Sequence, residues 1–413
     1  MGRAFALLAS LSVAAVLLGG CARDPGPDIT ADLVEMPSPA GPGSSAPHLA
    51  LTPAGAVVMS WLEASADGAA HELRFSTLGP DGWSSPGVVA RGTDFFVNWA
   101  DYPSVSPITA NDWAAHWLVK QPGGIYSYDV AIAISRDAGA NWSAPLTPHD
   151  DGTPTEHGFA TLFRWDDALG AIWLDGRNTK KDAAGESMAP DPGGMTVRYA
   201  RIGFDGKMLA GGEIDDLVCD CCATDVAVVA AGPVVTYRNR TREEIRDIAV
   251  ARYADGAWQP PVILGDDQWY LPGCPVNGST IAARGERVVV AWFSASKRQP
   301  RVQLAWSADG GASFSAPVLV DQGTVSGRVD VVLLADDVAV VSWTAKLADG
   351  SGEIRMRRVP ASGEPGPVRT VTKGDVSRNA GFPQMVATAE RLVFAWTVPG
   401  EPSRVTTATL AID

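Results

Sequence analysis

Seven short apolar segments, each ending in an aromatic residue, recur along the chain at nearly constant intervals. Each segment is rich in β-branched and small apolar residues, as in VVMSW ending at Trp61. A repeat of this length indicates structural units that pack against one another in an array. The aromatic residues are spaced by 56, 56, 64, 55, 51 and 53 residues, and they are Trp61, Trp117, Trp173, Tyr237, Trp292, Trp343 and Trp396.

The same strand pattern surrounds each aromatic residue. A short strand begins upstream, as in STIAAR from Ser279, and an alternating strand such as VQLAWS follows a polar loop downstream. A turn and a final strand complete the unit, as in APVLV after Ser315. Four short strands per repeat, without helical periodicity, are typical of propeller blades, which bury their faces only against neighbouring blades. We therefore predict an all-β protein with one propeller of four-stranded antiparallel blades, seven in number, or six if a terminal repeat packs irregularly.

The N-terminal residues are predicted to lie outside this ring. Arg3, an apolar run and the sequence Leu18-Gly19-Gly20-Cys21 have the layout of a secretory signal. The last four residues resemble the lipobox of bacterial lipoproteins, which implies lipidation of Cys21. We predict a signal peptide over 1–20, a tether rich in Pro, Gly and Ser over 21–45 and the propeller over 46–413. Because the last repeat runs out after three strands, the segment 29–37 could supply its outer strand and latch the ring.

The lipobox resemblance predicts an exported protein anchored to the bacterial cell envelope. Ala22 in place of an aspartate after the cysteine favours the outer membrane, with the protein facing the periplasm. The formal net charge of −14 argues against nucleic acid as a partner and against direct binding to anionic lipid. The expected membrane contact is therefore the lipid anchor, and we expect a monomer.

Two turns share the pattern S-x-D-x-G-x-x-[WF], at residues 135–142 and 307–314. This pattern resembles the Asp box of bacterial sialidases and their relatives, also called the BNR repeat. The resemblance implies a sialidase-like propeller and, if the protein is an enzyme, chemistry like that of glycoside hydrolases. Sialidases carry an arginine in an R-[IL]-P motif at the start of the domain, whereas the first blade opens here with Ala46-Pro47-His48-Leu49. That difference argues against true exo-sialidase activity.

In sialidases the Asp boxes lie on the face away from the active site, so the loops of the opposite face hold the candidate residues. Paired carboxylates could perform acid/base catalysis on a glycosidic bond, and arginines could clamp a carboxylate, sulfate or phosphate. The candidate catalytic residues are Asp101, Asp175 and Glu244. The candidate substrate-binding residues are Asn98, Trp99, His157, Arg177, Arg240, Arg246, Asn277 and Arg328.

Four cysteines besides Cys21 are predicted to meet near this pocket, namely Cys219, Cys221, Cys222 and Cys274. In an oxidising compartment two structural disulfides are the expected state. A copper or zinc site with thiolate ligands, or a redox-active pair, is the alternative. The remaining histidines, at 48, 71, 116 and 149, show no partner spacing and are interpreted as structural or surface residues. No glycine-rich phosphate loop is found, so no organic cofactor is predicted.

Three functions are consistent with these patterns. The first is a propeller that binds, or binds and hydrolyses, an anionic glycan or similar ligand in its central pocket. The second is an envelope protein that handles a metal ion or thiols through the cysteine cluster. The third is a scaffold that recruits protein partners.

Overall fold

The protein is described here by a computed structural model that covers residue 1 and residues 33–179, 193–362 and 364–412. The predicted signal peptide and the predicted lipidation site Cys21 lie outside these residues. Within the described ranges the protein is built from antiparallel strands, with two short 3₁₀ helices at Ser296–Arg298 and Arg378–Ala380. No helix in these ranges is long and apolar enough to cross a membrane.

The strands form seven separate sheets that follow one another along the chain. Blade 1 contains Ser44–Leu51, Val57–Ala64, His71–Gly79, Gly82–Trp83 and Gly87–Gly92; blade 2 contains Ser104–Pro107, Trp113–Lys120 and Tyr128–Ser135; blade 3 contains His157–Trp165, Ala168–Asp175, Met195–Ile202 and Met208–Val218; blade 4 contains Asp225–Val229, Gly232–Arg238, Ile248–Ala254, Ala257–Trp258 and Val262–Leu264. Blade 5 contains Ser279–Arg284, Arg287–Ser294, Arg301–Ser307 and Val318–Gln322; blade 6 contains Val325–Leu333, Val338–Lys346, Gly352–Pro360 and Arg369–Gly374; blade 7 contains Gln384–Ala387, Arg391–Val398, Arg404–Ala411 and Val34–Met36. The predicted all-β, seven-bladed propeller is confirmed.

Blade 7 is assembled from both ends of the described chain. Val34–Met36 pairs antiparallel with Arg404–Ala411, with Val34 opposite Thr409 and Met36 opposite Thr407. The hydroxyl of Thr407 also donates to the carbonyl oxygen of Met36 at 3.3 Å. The N-terminal strand, which lies within the segment 29–37 considered as a latch, thus covers the outer edge of the last blade.

Every one of the seven repeated aromatic residues lies in the second strand of its blade and is at most 6 % exposed. Burial of such a side chain removes its polar N–H or O–H from water, so that group needs a hydrogen-bond partner inside the protein. A carboxylate provides the partner in five blades. The pairs are Trp61–Glu63 at 3.0 Å, Trp173–Asp175 at 2.9 Å, Tyr237–Asp215 at 2.6 Å, Trp292–Asp267 at 3.2 Å and Trp343–Asp321 at 3.1 Å.

The two turns that fit the Asp-box pattern have the same hydrogen bonds. In the first, the hydroxyl of Ser135 donates to Asp137 Oδ1 at 2.8 Å, and the same oxygen accepts the backbone N–H of Asn141 at 2.8 Å. In the second turn Ser307 and Ser313 contact Asp309 in the corresponding way, at 2.7 and 2.9 Å. Both turns follow the third strand of their blade. The pattern therefore marks a local turn structure.

The buried hydrogen bond of Trp292 can be tested against Trp306 in the same blade. Trp306 is also buried, but its Nε1 has no hydrogen-bond partner within the described ranges. We expect Trp292→Phe to lower the free energy of unfolding by about 1–2 kcal/mol more than Trp306→Phe, because only Trp292 donates to a buried carboxylate. Urea denaturation of both variants measures the difference, and equal losses would contradict this role of the carboxylate.

Candidate functional site

The first strands of the blades surround a central channel of about 310 Å³. Its polar lining includes His48 from blade 1, Asp101 and Tyr102 at the start of blade 2, Asp225 from blade 4 and Asp330 from blade 6. The loops that lead into the first strands converge at one end of this channel. That end is the predicted ligand face.

Three channel carboxyl groups join neighbouring blades. Asp101 accepts the backbone N–H of Phe159 at 2.8 Å, and its other oxygen accepts the hydroxyl of Tyr128 at 2.9 Å. Asp225 and Asp330 likewise accept backbone N–H groups from the first strand of the following blade, at 2.9 and 2.7 Å. Burial raises the pKa of all three to about 7. The candidate catalytic residue Asp101 thus lies in a set of carboxyl groups that connect blades.

The second candidate catalytic residue, Asp175, is fully buried beside Trp173. Besides the indole N–H, Asp175 accepts Nε and Nη2 of Arg177 at 2.7 and 2.8 Å. Arg177 also lies 3.2 Å from Asp151. Although burial opposes it, the hydrogen bond from Arg177 lowers the pKa of Asp175 below its ordinary value. The predicted carboxylate and the predicted anion-binding arginine are therefore bound to each other.

Three of the four cysteines come together. Cys219 Sγ lies 3.4 Å from Cys222 Sγ and 3.9 Å from Cys221 Sγ, and the three sulfur atoms all lie within 4.8 Å of one another. Cys219 and Cys222 are buried and Cys221 is half-buried, whereas Cys274 is exposed, lies outside this mutually close group and forms a side-chain hydrogen bond with Cys221. All four are free thiols, so the two expected disulfides are not formed in this structure.

Charged side chains surround this three-cysteine cluster. Arg246 Nη1 donates to Cys219 Sγ at 3.2 Å, and Arg246 Nη2 donates to Glu244 at 2.8 Å. Arg240 binds the other oxygen of Glu244 at 2.7 Å and Asp220 at 3.2 Å. Burial alone would raise the pKa of Cys219, but hydrogen bonds from the neighbouring thiols and the charge of Arg246 hold it well below its ordinary value. The third candidate catalytic residue, Glu244, bridges the two arginines.

The structure also brings together a pair of histidines that the sequence analysis did not connect. The rings of His149 and His157 stack with their centroids 3.7 Å apart and an angle of 9° between their planes. Asp129 lies at one end of the stack and Asp151 at the other, as ion-pair distances of 3.2–3.6 Å show. His149 lies in an irregular segment between blades 2 and 3, so no regular periodicity in the sequence links it to His157.

The remaining candidate residues lie near the channel mouth. Asn98 Oδ1 accepts the backbone N–H of Ala100 at 2.8 Å, and Asn277 Oδ1 accepts that of Arg328 at 2.7 Å. The guanidinium of Arg328 lies 5.3 Å from the ring centroid of Trp99. Its Nη2 donates to two backbone carbonyl groups, whereas its Nη1 has no hydrogen-bond partner in the described part of the chain.

The sequence matches no protein-family model and no curated protein. Among solved structures, a protein of unknown function from Dyadobacter fermentans is 13 % identical over 92 % of this chain and 97 % of its own, with a TM-score of 0.51. An α-L-arabinofuranosidase from Fusarium graminearum is 11 % identical over 92 % and 97 % of the two chains, with a TM-score of 0.49. A leech intramolecular trans-sialidase is 10 % identical over 86 % and 83 %, with a TM-score of 0.44.

Likenesses at such low identity concern the fold alone. The predicted sialidase-like β-propeller is confirmed as an architecture, and its Asp-box turns have the expected local hydrogen bonds.

The raised pKa of Asp101 predicts a pH-dependent stability. A carboxyl group with a folded-state pKa of about 7 favours the folded state when protonated, and this stability is lost as pH rises from about 4 through 7. Across this window we expect the free energy of unfolding to fall by about 2–4 kcal/mol less in Asp101→Asn than in the wild type, because an amide does not ionise. Urea denaturation at pH 4 and pH 8 measures both losses. Identical pH profiles would show that Asp101 titrates normally.

Proposed function

We propose that this protein binds a soft metal ion, copper(I) or zinc, on the thiols of Cys219, Cys221 and Cys222. The spacing of the sulfur atoms carries this proposal. Zinc–thiolate bonds of about 2.3 Å in a tetrahedron place neighbouring sulfur atoms about 3.8 Å apart. The separations of 3.4 and 3.9 Å from Cys219 fall close to this value without any bond between the cysteines.

The electrostatic surroundings of Cys219 support the same function, whereas hydrogen bonds with neighbouring thiols raise the pKa of Cys221 and burial raises that of Cys222. Metal ions bind thiolates, so an environment that holds a proton off one sulfur lowers the cost of binding. Arg246 provides such an environment for Cys219 through a contact of 3.2 Å. Glu244 and Asp220 offset the positive charges of Arg240 and Arg246, so the cluster is not surrounded by uncompensated cations. The half-exposed Cys221 gives an ion a route from solvent.

The lipobox-like sequence ending at Cys21 supports placing this function in the bacterial cell envelope. A lipid on Cys21 would hold the protein at the outer membrane, and the tether would let the propeller extend into the periplasm. The propeller would then act as a rigid frame for the three-cysteine cluster. Most of the chain forms that frame, and the chemistry belongs to a small part of the rim.

Native mass spectrometry of the mature protein, purified from a periplasm, tests the proposal. We expect one copper or zinc ion per chain in the wild type and none in Cys221→Ser, because two remaining thiols cannot complete the site. His71→Ala, in blade 1, is the control and should retain the ion, since it leaves all four cysteines unchanged. A wild-type mass that is metal-free and short by two or four hydrogens would show disulfides and overturn the proposal.

A second candidate function is the binding of an anionic ligand, such as an acidic glycan, at Arg328. The observation in its favour is the buried Nη1 of Arg328, which has no hydrogen-bond partner among the residues that the structure describes. Burial lowers the pKa of this guanidinium to about 10, which still leaves it charged near neutral pH. Trp99 beside it offers an aromatic face of the kind on which sugar rings stack.

Binding of an oligogalacturonate, measured by calorimetry, tests this second candidate. We expect Arg328→Gln to weaken binding about tenfold or more, the range of a lost charge-assisted hydrogen bond. Arg136→Gln is the control, because Arg136 is an exposed arginine paired with Asp112 on the Asp-box side. Equal affinities in the two variants would count against a role for Arg328.

A further inference from the structure

The stacked histidines lie in a different part of the rim from the three-cysteine cluster. His157 begins the first strand of blade 3, and His149 lies in the segment between blades 2 and 3. Asp129 belongs to the third strand of blade 2. We infer that Asp129, His149 and His157 form a second metal site, which takes a divalent transition-metal ion such as zinc through two imidazole nitrogens and one carboxylate oxygen.

The candidate ligand atoms already lie close together. Asp129 Oδ1 lies 3.2 Å from His157 Nδ1 and 3.6 Å from His149 Nε2. His157 is completely buried, and neither of its ring nitrogens makes a hydrogen bond of acceptable geometry with any described residue. The Nε2 atom of His149 is also buried without such a bond. Burying a polar atom without a hydrogen-bond partner costs free energy, and an ion beside Asp129 would provide a partner for His157 Nδ1 and for His149 Nε2.

Asp151 lies at the opposite end of the stack, where it can orient both rings. Its Oδ1 is 3.2 Å from His149 Nδ1 and 3.2 Å from His157 Nε2. A carboxylate in this position favours protons on those two nitrogens and leaves the lone pairs on the nitrogens that face Asp129. Arg177 and Thr153 hold Asp151 in turn. Carboxylate, histidine and metal would therefore follow one another as in many zinc sites.

The local charge balance also calls for a cation. Asp129, Asp151 and Asp175 lie around His157, at 3.2, 3.2 and 3.8 Å. Among the described residues, Arg177 is the permanent cation in contact with this group, and it faces Asp151 and Asp175. Although burial opposes it, the contact with Asp129 and the nearby carboxylates raise the pKa of His157, so a metal ion would compete with a proton at this position. With both imidazoles neutral, these described side chains carry a net charge of −2, which a divalent ion would neutralise. The side chain of Asp129 is 23 % exposed, so water could fill the remaining coordination positions.

This donor set differs in chemistry from the three thiols. Imidazole and carboxylate ligands suit zinc and other divalent ions, whereas thiolates favour copper(I) as well as zinc. The stacked rings must rotate for their lone pairs to converge on one ion. The inference is independent of the proposed function, because it shares no residue with the cysteine cluster.

Equilibrium dialysis of the mature protein against zinc, followed by metal analysis, tests the inference. We expect His149→Ala to bind one equivalent less than His71→Ala, a control that removes an unrelated histidine from blade 1. The comparison is made both in the wild type and with Cys221→Ser, so failure of the thiol site leaves this readout intact. Equal zinc contents in His149→Ala and His71→Ala would overturn the second site.

Two further variants keep the test decisive if His149→Ala does not fold. Asp129→Asn keeps the size of a partly exposed side chain and should lose the same equivalent of zinc. Asp151→Asn should retain the site but weaken zinc about 10- to 100-fold, the usual effect of losing a carboxylate that orients a ligating histidine. Unchanged zinc affinity in both variants would overturn the inference.

Discussion

The ring depends on one contact that recurs from blade to blade, a large aromatic side chain buried in the second strand with its polar edge bound to a carboxylate. The aromatic ring fills the space between blades, but its N–H or O–H would be a costly buried group without an acceptor. Glu63, Asp175, Asp215, Asp267 and Asp321 provide acceptors in five blades. These carboxylates belong to the frame, and burial of an acid in this protein is therefore no sign of catalysis by itself.

This constraint explains why the carboxylate candidates were hard to judge from the sequence. Asp175 follows Trp173 by two residues and ends the second strand of blade 3, at the start of a loop on the predicted ligand face, where an acid suggests a catalytic role. Glu63 follows Trp61 at the same distance, and both acids accept their own tryptophan's N–H. This spacing occurs in only two of the seven repeats, so the sequence did not distinguish a structural acid from a catalytic one. Asp101 and Glu244 carry no such repeat, and only the structure shows that they bind Phe159 and two arginines.

The architecture could be predicted because it rests on periodic burial, whereas much of the candidate site could not. The aromatic repeat gave the number of blades and the second strand of each. Asp101, His157 and Cys221 each lie sixteen residues before the aromatic residue of their repeat, and this shared position in the sequence indicates that they lie in similar places in neighbouring blades. His149 lies in an irregular segment outside this register, so its contact with His157 required three-dimensional coordinates. The arginine pairs are equally invisible in sequence, because long side chains choose partners from several loops.

The rigidity of the frame determines what metal binding would do to this protein. In small zinc domains the ion organises an otherwise unfolded chain, so its binding energy is folding energy. Here hydrogen bonds such as those of Asp101, Asp225 and Asp330 connect the blades through buried contacts that need no ion. The ligands of both proposed sites therefore start from a backbone that is already fixed. Loss of an ion should alter the rim and leave the ring folded, so a site of this kind can release its ion without unfolding the protein that carries it.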